Sequence, residues 1–84
     1  MNKKVLVSLY VPCVGQKYDI YVPVFLEIRE VAVLLSEAVE KLTNGKYHAT
    51  GDELLCEKEN NIVLDMKCQI QDYNIKNGDE LILI

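Results

Sequence analysis

Residues 27–43 read EIREVAVLLSEAVEKLT, and here the periodicity of the chain changes. Ile28, Val31, Leu35, Ala38 and Leu42 recur at the spacing of one helical face. Val33 and Val39 widen that stripe. Glu27 and Glu30 fall in the first turn, where the helix dipole favours carboxylates. Lys41 falls near the last turn, and Asn44-Gly45 supplies a stop. The spacing predicts an amphipathic helix with one face seated on a sheet.

The flanking segments keep a period of two. Upstream, residues 4–11 place Val5, Val7, Leu9 and Val11 on one face and Leu6, Ser8 and Tyr10 on the other. Residues 12–16, with Pro12 and Gly15, form a turn. In residues 17–22, Tyr18, Ile20 and Val22 alternate with Asp19 and Tyr21, and Pro23 helps to end the strand. These two strands make a hairpin. Downstream, residues 53–58 and 62–65 read as short strands about the polar turn Glu59-Asn60-Asn61. A single turn is expected at Gln71-Asp72-Tyr73, and a last strand over 79–84. The order is β-β-α-β-β-β. A helix that follows one hairpin must cover one face of a sheet completed by later strands. The expected fold class is therefore α+β: a β-grasp, with a mixed sheet and one helix packed on one face.

The 84 residues fit one domain, 1–84, and half of them are apolar. The formal charge of −4 and the scattered lysines argue against nucleic acid, which needs a basic face. Lys3-Lys4 reads as the solvated end of the first strand. No apolar run is long enough to span a membrane, so no direct membrane insertion is expected. The segment Met1–Val7 lacks the cleavage site of a signal peptide and reads as a strand, which points to the cytoplasm. Cys13, Cys56 and Cys68 are odd in number and widely spaced, so no disulfide framework is suggested.

Little in the chain suggests chemistry. His48, the lone histidine, has no orienting partner in sequence and reads as a surface loop residue. The cysteines do not pair at zinc-ligand spacing, and Cys56 reads as a small core residue. Asn74, Asn77 and Asp79 lack calcium-loop spacing, and Gly78 reads as a positive-φ turn residue. No enzyme, cofactor or metal site is expected.

The turn Asp72-Tyr73-Asn74-Ile75 resembles the one before the last strand of ubiquitin. Three pieces resemble the YukD/EsaB family, bacterial ubiquitin-like proteins associated with type VII secretion: Tyr18-Asp19-Ile20-Tyr21-Val22-Pro23, the helix start Ile28-Arg29-Glu30-Val31, and Asp72 to Leu81, similar to the family's D-Y-x-I-x-x-G-D-x-L ending. The resemblance covers nearly the whole chain, and 56–69 carries no family signature. It implies a non-conjugating interaction protein whose partner is a type VII secretion component. Ubiquitin and the sulfur carriers act through a flexible Gly-Gly tail, and here the last residue is the β-branched Ile84. Two alternatives stand: a carrier whose Gly-Gly tail lies beyond Ile84, and a detached ubiquitin-like domain of a larger membrane component.

If Val5, Val7, Leu9, Tyr18, Ile20, Val22, Leu81 and Leu83 face the helix, the opposite face carries Leu6, Tyr10, Tyr21, Ile82 and Ile84. One of Leu54 and Leu55 must join them, and Leu55 is assigned there. The resemblance to ubiquitin puts the last strand between strands one and three. Leu6, Tyr10, Leu55, Ile82 and Ile84 then form the expected protein-binding site, in the region where ubiquitin carries its recognition patch. Burial of the same face in a homodimer is the alternative use.

Overall fold

The computed structural model describes residues 3–84, so Met1 and Asn2 of the first segment lie outside it. The elements are β1 (Lys4–Val11), β2 (Gln16–Pro23), α1 (Ile28–Leu42), β3 (Leu55–Glu57), β4 (Ile62–Val63), a single 3₁₀ turn at Ile70–Asp72, and β5 (Glu80–Leu83). The five strands form one sheet in the order β2-β1-β5-β3-β4. β1 runs parallel to β5, and all other pairings are antiparallel. This is the β-grasp layout predicted from the element order, with β5 in the centre.

The core lies between α1 and one face of the sheet. Val5, Val7, Leu9 and Val11 of β1, with Leu81 and Leu83 of β5, are buried there. From the helix come Ile28, Val31, Ala32, Leu35, Ser36 and Val39. Val33 and Leu42, expected in the helical stripe, are 44% and 59% exposed. The stripe is thus narrower than the sequence pattern, because the helix is wider than the face it rests on. Tyr18 and Ile20 pack against the core but stay half-buried, since β2 is an edge strand.

Both helix ends are satisfied. The Ile28 and Arg29 N–H groups donate to the Cys68 and Met66 carbonyls at 2.7 and 3.1 Å, tying the start of α1 to the β4–β5 connection. Glu27 N–H donates to Glu30 Oε1 at 3.3 Å. At the far end, Asn44 (φ 53°) and Gly45 donate to the Lys41 and Glu40 carbonyls, a Schellman closure.

The segment Asp72–Asp79 is built from backbone capping. Asp72 Oδ2 accepts from Gln69 N–H at 2.7 Å, and the Tyr73 hydroxyl accepts from Asp65 N–H at 2.8 Å. Asn77 Oδ1 accepts from Leu6 N–H, and Asp79 Oδ2 from Lys76 N–H, both at 2.8 Å. Gly78 takes φ 92° and donates to the Leu6 carbonyl. Each polar residue of Asp72–Asp79 named here fixes a turn that delivers β5 to the middle of the sheet.

The short strands depart most from expectation. Leu55 is opposite Leu83 and is fully buried; it does not lie on the outer face. Leu54 takes the outer position, its N–H and C=O paired with Ile84 at 3.0 and 2.9 Å. The flanking glutamates show why. Glu53, Leu55 and Glu57 share the inner side, so burying Leu55 carries both carboxylates inward. Each is compensated by local donors. Glu53 accepts from Thr50 N–H (2.7 Å), Gly51 N–H (2.9 Å) and the Tyr47 hydroxyl (3.1 Å). Glu57 accepts from Asn60 N–H at 2.7 Å. The same phase places Cys56 opposite Ile82, half-buried on the outer face instead of in the core.

Candidate functional site: the outer face of the sheet

The face turned away from α1 is laid out in cross-strand rows. Tyr21 is opposite Leu6. The next row runs Asp19, Ser8, Glu80. The third runs Lys17, Tyr10, Ile82, Cys56, Val63. The fourth is the Ile84–Leu54 pair. Val63 and Ile84 are 57% and 64% exposed, and Leu54 is 41% exposed.

The second row is polar. Glu80 receives Lys17 Nζ at 3.2 Å and Lys58 Nζ at 3.3 Å, one on each carboxylate oxygen. Partial burial opposes ionisation of Glu80, but the hydrogen bonds and charges of the two lysines outweigh it and hold its carboxyl below the usual range. A charged bar therefore crosses the sheet. On one side lies an apolar cluster of Tyr10, Ile82, Ile84, Leu54, Cys56 and Val63. On the other side lie Leu6 and Tyr21. Leu6 is four residues from Tyr10 along β1, roughly 13 Å at the rise of a strand.

The structure thus brings together three of the five expected site residues: Tyr10, Ile82 and Ile84. Leu6 shares the face but is cut off by the Glu80 bar, and Leu55 is in the core. Leu54, Cys56 and Val63 complete the cluster instead. No signal in the sequence marked them: in ELLCEKE the adjacent leucines carry no phase, and the pattern that keeps both glutamates outside is the wrong one.

The buried Glu53 network lies next to Leu54, on the inner side of the loop that enters β3. Burial pushes the Glu53 carboxyl up, but the N–H donors of Thr50 and Gly51 and the Tyr47 hydroxyl prevail and hold it below its ordinary value. Burial, then the hydrogen bond and charge of Glu53, push the Tyr47 hydroxyl up to about 12. Every acceptor position here serves the loop that leads into β3, a structural role. His48 is exposed on that loop. Cys13, Cys56 and Cys68 are free thiols, and no metal-binding group of three or more His, Cys, Asp or Glu occurs among the described residues. No helix among them is long and apolar enough to cross a membrane.

No family model matches the chain, and no curated protein sequence does. Solved structures do. The ubiquitin-like domain of EccD5 from Mycobacterium xenopi superposes with a TM-score of 0.70 at 14% identity, over 98% of this chain and 93% of that one. The ubiquitin-like domain of the Mycobacterium tuberculosis type VII secretion system protein EccD1 gives 0.66 at 15% identity, over 98% of each chain. The ubiquitin-like domain of Plasmodium falciparum Dsk2 gives 0.69 at 14%, over 98% of this chain and all of that one. The fold is that of the ubiquitin-like β-grasp domains, shared across unrelated settings. Identities this low define the fold alone.

Proposed function

We propose that the chain is a non-conjugating ubiquitin-like interaction module of one domain, an accessory or regulatory component of a type VII secretion system. It acts in the cytoplasm, without catalysis or cofactor, by binding another protein of that machinery through the outer face of its sheet. The observation that carries this reading is the apolar cluster in which exposed Leu54, Ile84 and Val63 flank half-buried Tyr10 and Ile82, bounded by the Lys17–Glu80–Lys58 bar. An apolar core with a charged rim is the anatomy of a protein-binding patch. The secretion setting is supported by the sequence resemblance to the YukD/EsaB family and by the shared fold of the EccD1 and EccD5 domains.

A second reading, in which the chain is a ubiquitin-like domain separated from a larger membrane component, is favoured by its superposition on 20% of a chain of the MycP5-free ESX-5 inner membrane complex, with a TM-score of 0.70 at 15% identity over 96% of this chain. A continuous reading frame into membrane-spanning segments after Ile84 supports it; a stop codon there removes it.

The test is direct binding of purified chain to cytosolic domains of secretion components, by calorimetry. Ile82→Asp and Leu54→Asp are expected to keep the native circular dichroism and to weaken binding at least about tenfold, as central contacts of an interface do. Unchanged affinity in both variants defeats the patch.

A further inference from the structure

β2 is an edge strand of eight residues with no neighbour on its outer side among the described residues. Its hydrogen-bonding phase follows from its surroundings. Val24 N–H donates to the Lys3 carbonyl, so every second residue back from Val24 bonds inward to β1: Val22, Ile20 and Tyr18. On the far side of β1, Leu6 and Ser8 turn to β5, which requires the same phase. Lys17, Asp19 and Tyr21 therefore direct their N–H and C=O groups outward. Such an edge is a template for another strand.

The charges on that edge specify the occupant. Four two-fold antiparallel registers with at least five residues of β2 in overlap set outward residues against outward residues, and the one centred on Tyr21 sets Asp19 only against Pro23, which offers neither charge nor N–H. Centred on Asp19, the pairing opposes two like carboxylates. Centred on Ile20, it sets Asp19 against Tyr21 and Lys17 against Pro23, which has no N–H. Centred on Tyr18, it sets Lys17 of each copy against Asp19 of the other. Asp19 is exposed and its carboxylate has no hydrogen bond or ion pair among the described residues. Lys17 can serve it while Glu80 keeps Lys58.

We propose that β2 pairs with β2 of a second copy in the register centred on Tyr18, joining two sheets edge to edge. The inner side fits the same register. Tyr18 meets Tyr18 of the second copy, an aromatic cross-strand pair. Ile20 of the second copy falls opposite Gln16, which with Val14, Tyr18 and Leu42 lines a shallow hollow between β2 and the end of α1. This hollow is where Leu42 stands 59% exposed despite its helical spacing. The two exchanged pairs supply only about four backbone hydrogen bonds. The dimer is therefore weak and forms at high concentration. The dyad stands perpendicular to the sheet, so both outer faces remain free and point the same way.

Sedimentation velocity of the full chain from about 10 μM to about 1 mM covers the range expected of so small an interface. A monomer–dimer equilibrium is expected, at least about tenfold weaker in Asp19→Lys and in Lys17→Asp, each of which opposes like charges in both pairs. Mixing those two variants restores opposite charge at every pair and is expected to yield a heterodimer, which also shows that both are folded. A chain that stays monomeric at the highest concentration overturns the proposal. So does a dimer indifferent to Asp19→Lys, a mixture that gives no heterodimer, or a dimer abolished by Ile82→Asp, which would place the contact on the outer face.

Discussion

The hairpin of β1 and β2 and the β3–β4 segment solve the same problem at different lengths. The hairpin has eight residues in each strand and eight register pairs, so a one-residue slip would expose four core side chains at once. β3 has three residues and β4 two, and Leu55 is the one buried apolar side chain of β3. Long strands take their phase from pattern. Short ones take it from whatever polar groups their turns can satisfy, here Glu53 and Glu57. A buried carboxylate is tolerated where backbone N–H groups converge on it.

The sharpest way to break that contrast is to exchange the two leucines' fates. Leu55→Ala empties a fully buried site and is expected to cost about 2–5 kcal/mol, whereas Leu54→Ala stays within about 0.5 kcal/mol. Urea denaturation of both variants checks this, and equal losses would return Leu55 to the surface. Next in size is Glu53→Ala, which strands the Thr50 and Gly51 N–H groups and the Tyr47 hydroxyl at an expected cost of about 2 kcal/mol. Because the folded Glu53 carboxyl titrates below its unfolded value, its contribution is present above about pH 4.3 and lost as pH falls through the folded value. The acid limb of a stability–pH curve should therefore be shallower in Glu53→Gln than in the native chain.

Tyr47→Phe removes one donor to that carboxylate and is expected to cost about 1 kcal/mol. The tyrosine works in the opposite sense. Its folded value is raised to about 12, so its contribution is complete below about pH 10, the unfolded value, and lost as pH rises through 12. The alkaline limb should flatten in the phenylalanine variant. The smallest effect is expected at the outer face: Glu80→Gln leaves the denaturation midpoint nearly unchanged and lessens its dependence on salt, since exposed ion pairs contribute little to stability.

These contrasts mark how far the sequence could be read. The hairpin, the helix with its Asn44-Gly45 stop, and the order of elements were legible because each rests on a pattern repeated over many residues. The ending Asp72–Asp79 was legible as a motif, though its purpose was not: its side chains cap backbone groups. The outer face was legible on β1 and β5, giving Tyr10, Ile82 and Ile84. It failed at Leu55 because two adjacent leucines carry no phase. It also failed to foresee that Glu80 would draw Lys17 and Lys58 into a bar isolating Leu6, since long side chains reach diagonally across strands that are far apart in sequence. Val33 and Leu42 show the limit of helical periodicity, which reports which residues share a face but not how wide a face the sheet can cover.

The central position of β5 has a consequence for how the molecule is made. β1 and β3 meet only through this strand, whose residues 80–83 are translated after α1 and the other four strands of the sheet. Until then the nascent chain holds a hairpin and an amphipathic helix with half a sheet to cover. Folding therefore waits on synthesis, and the exposed core of the unfinished chain is the state most open to chaperones and proteases.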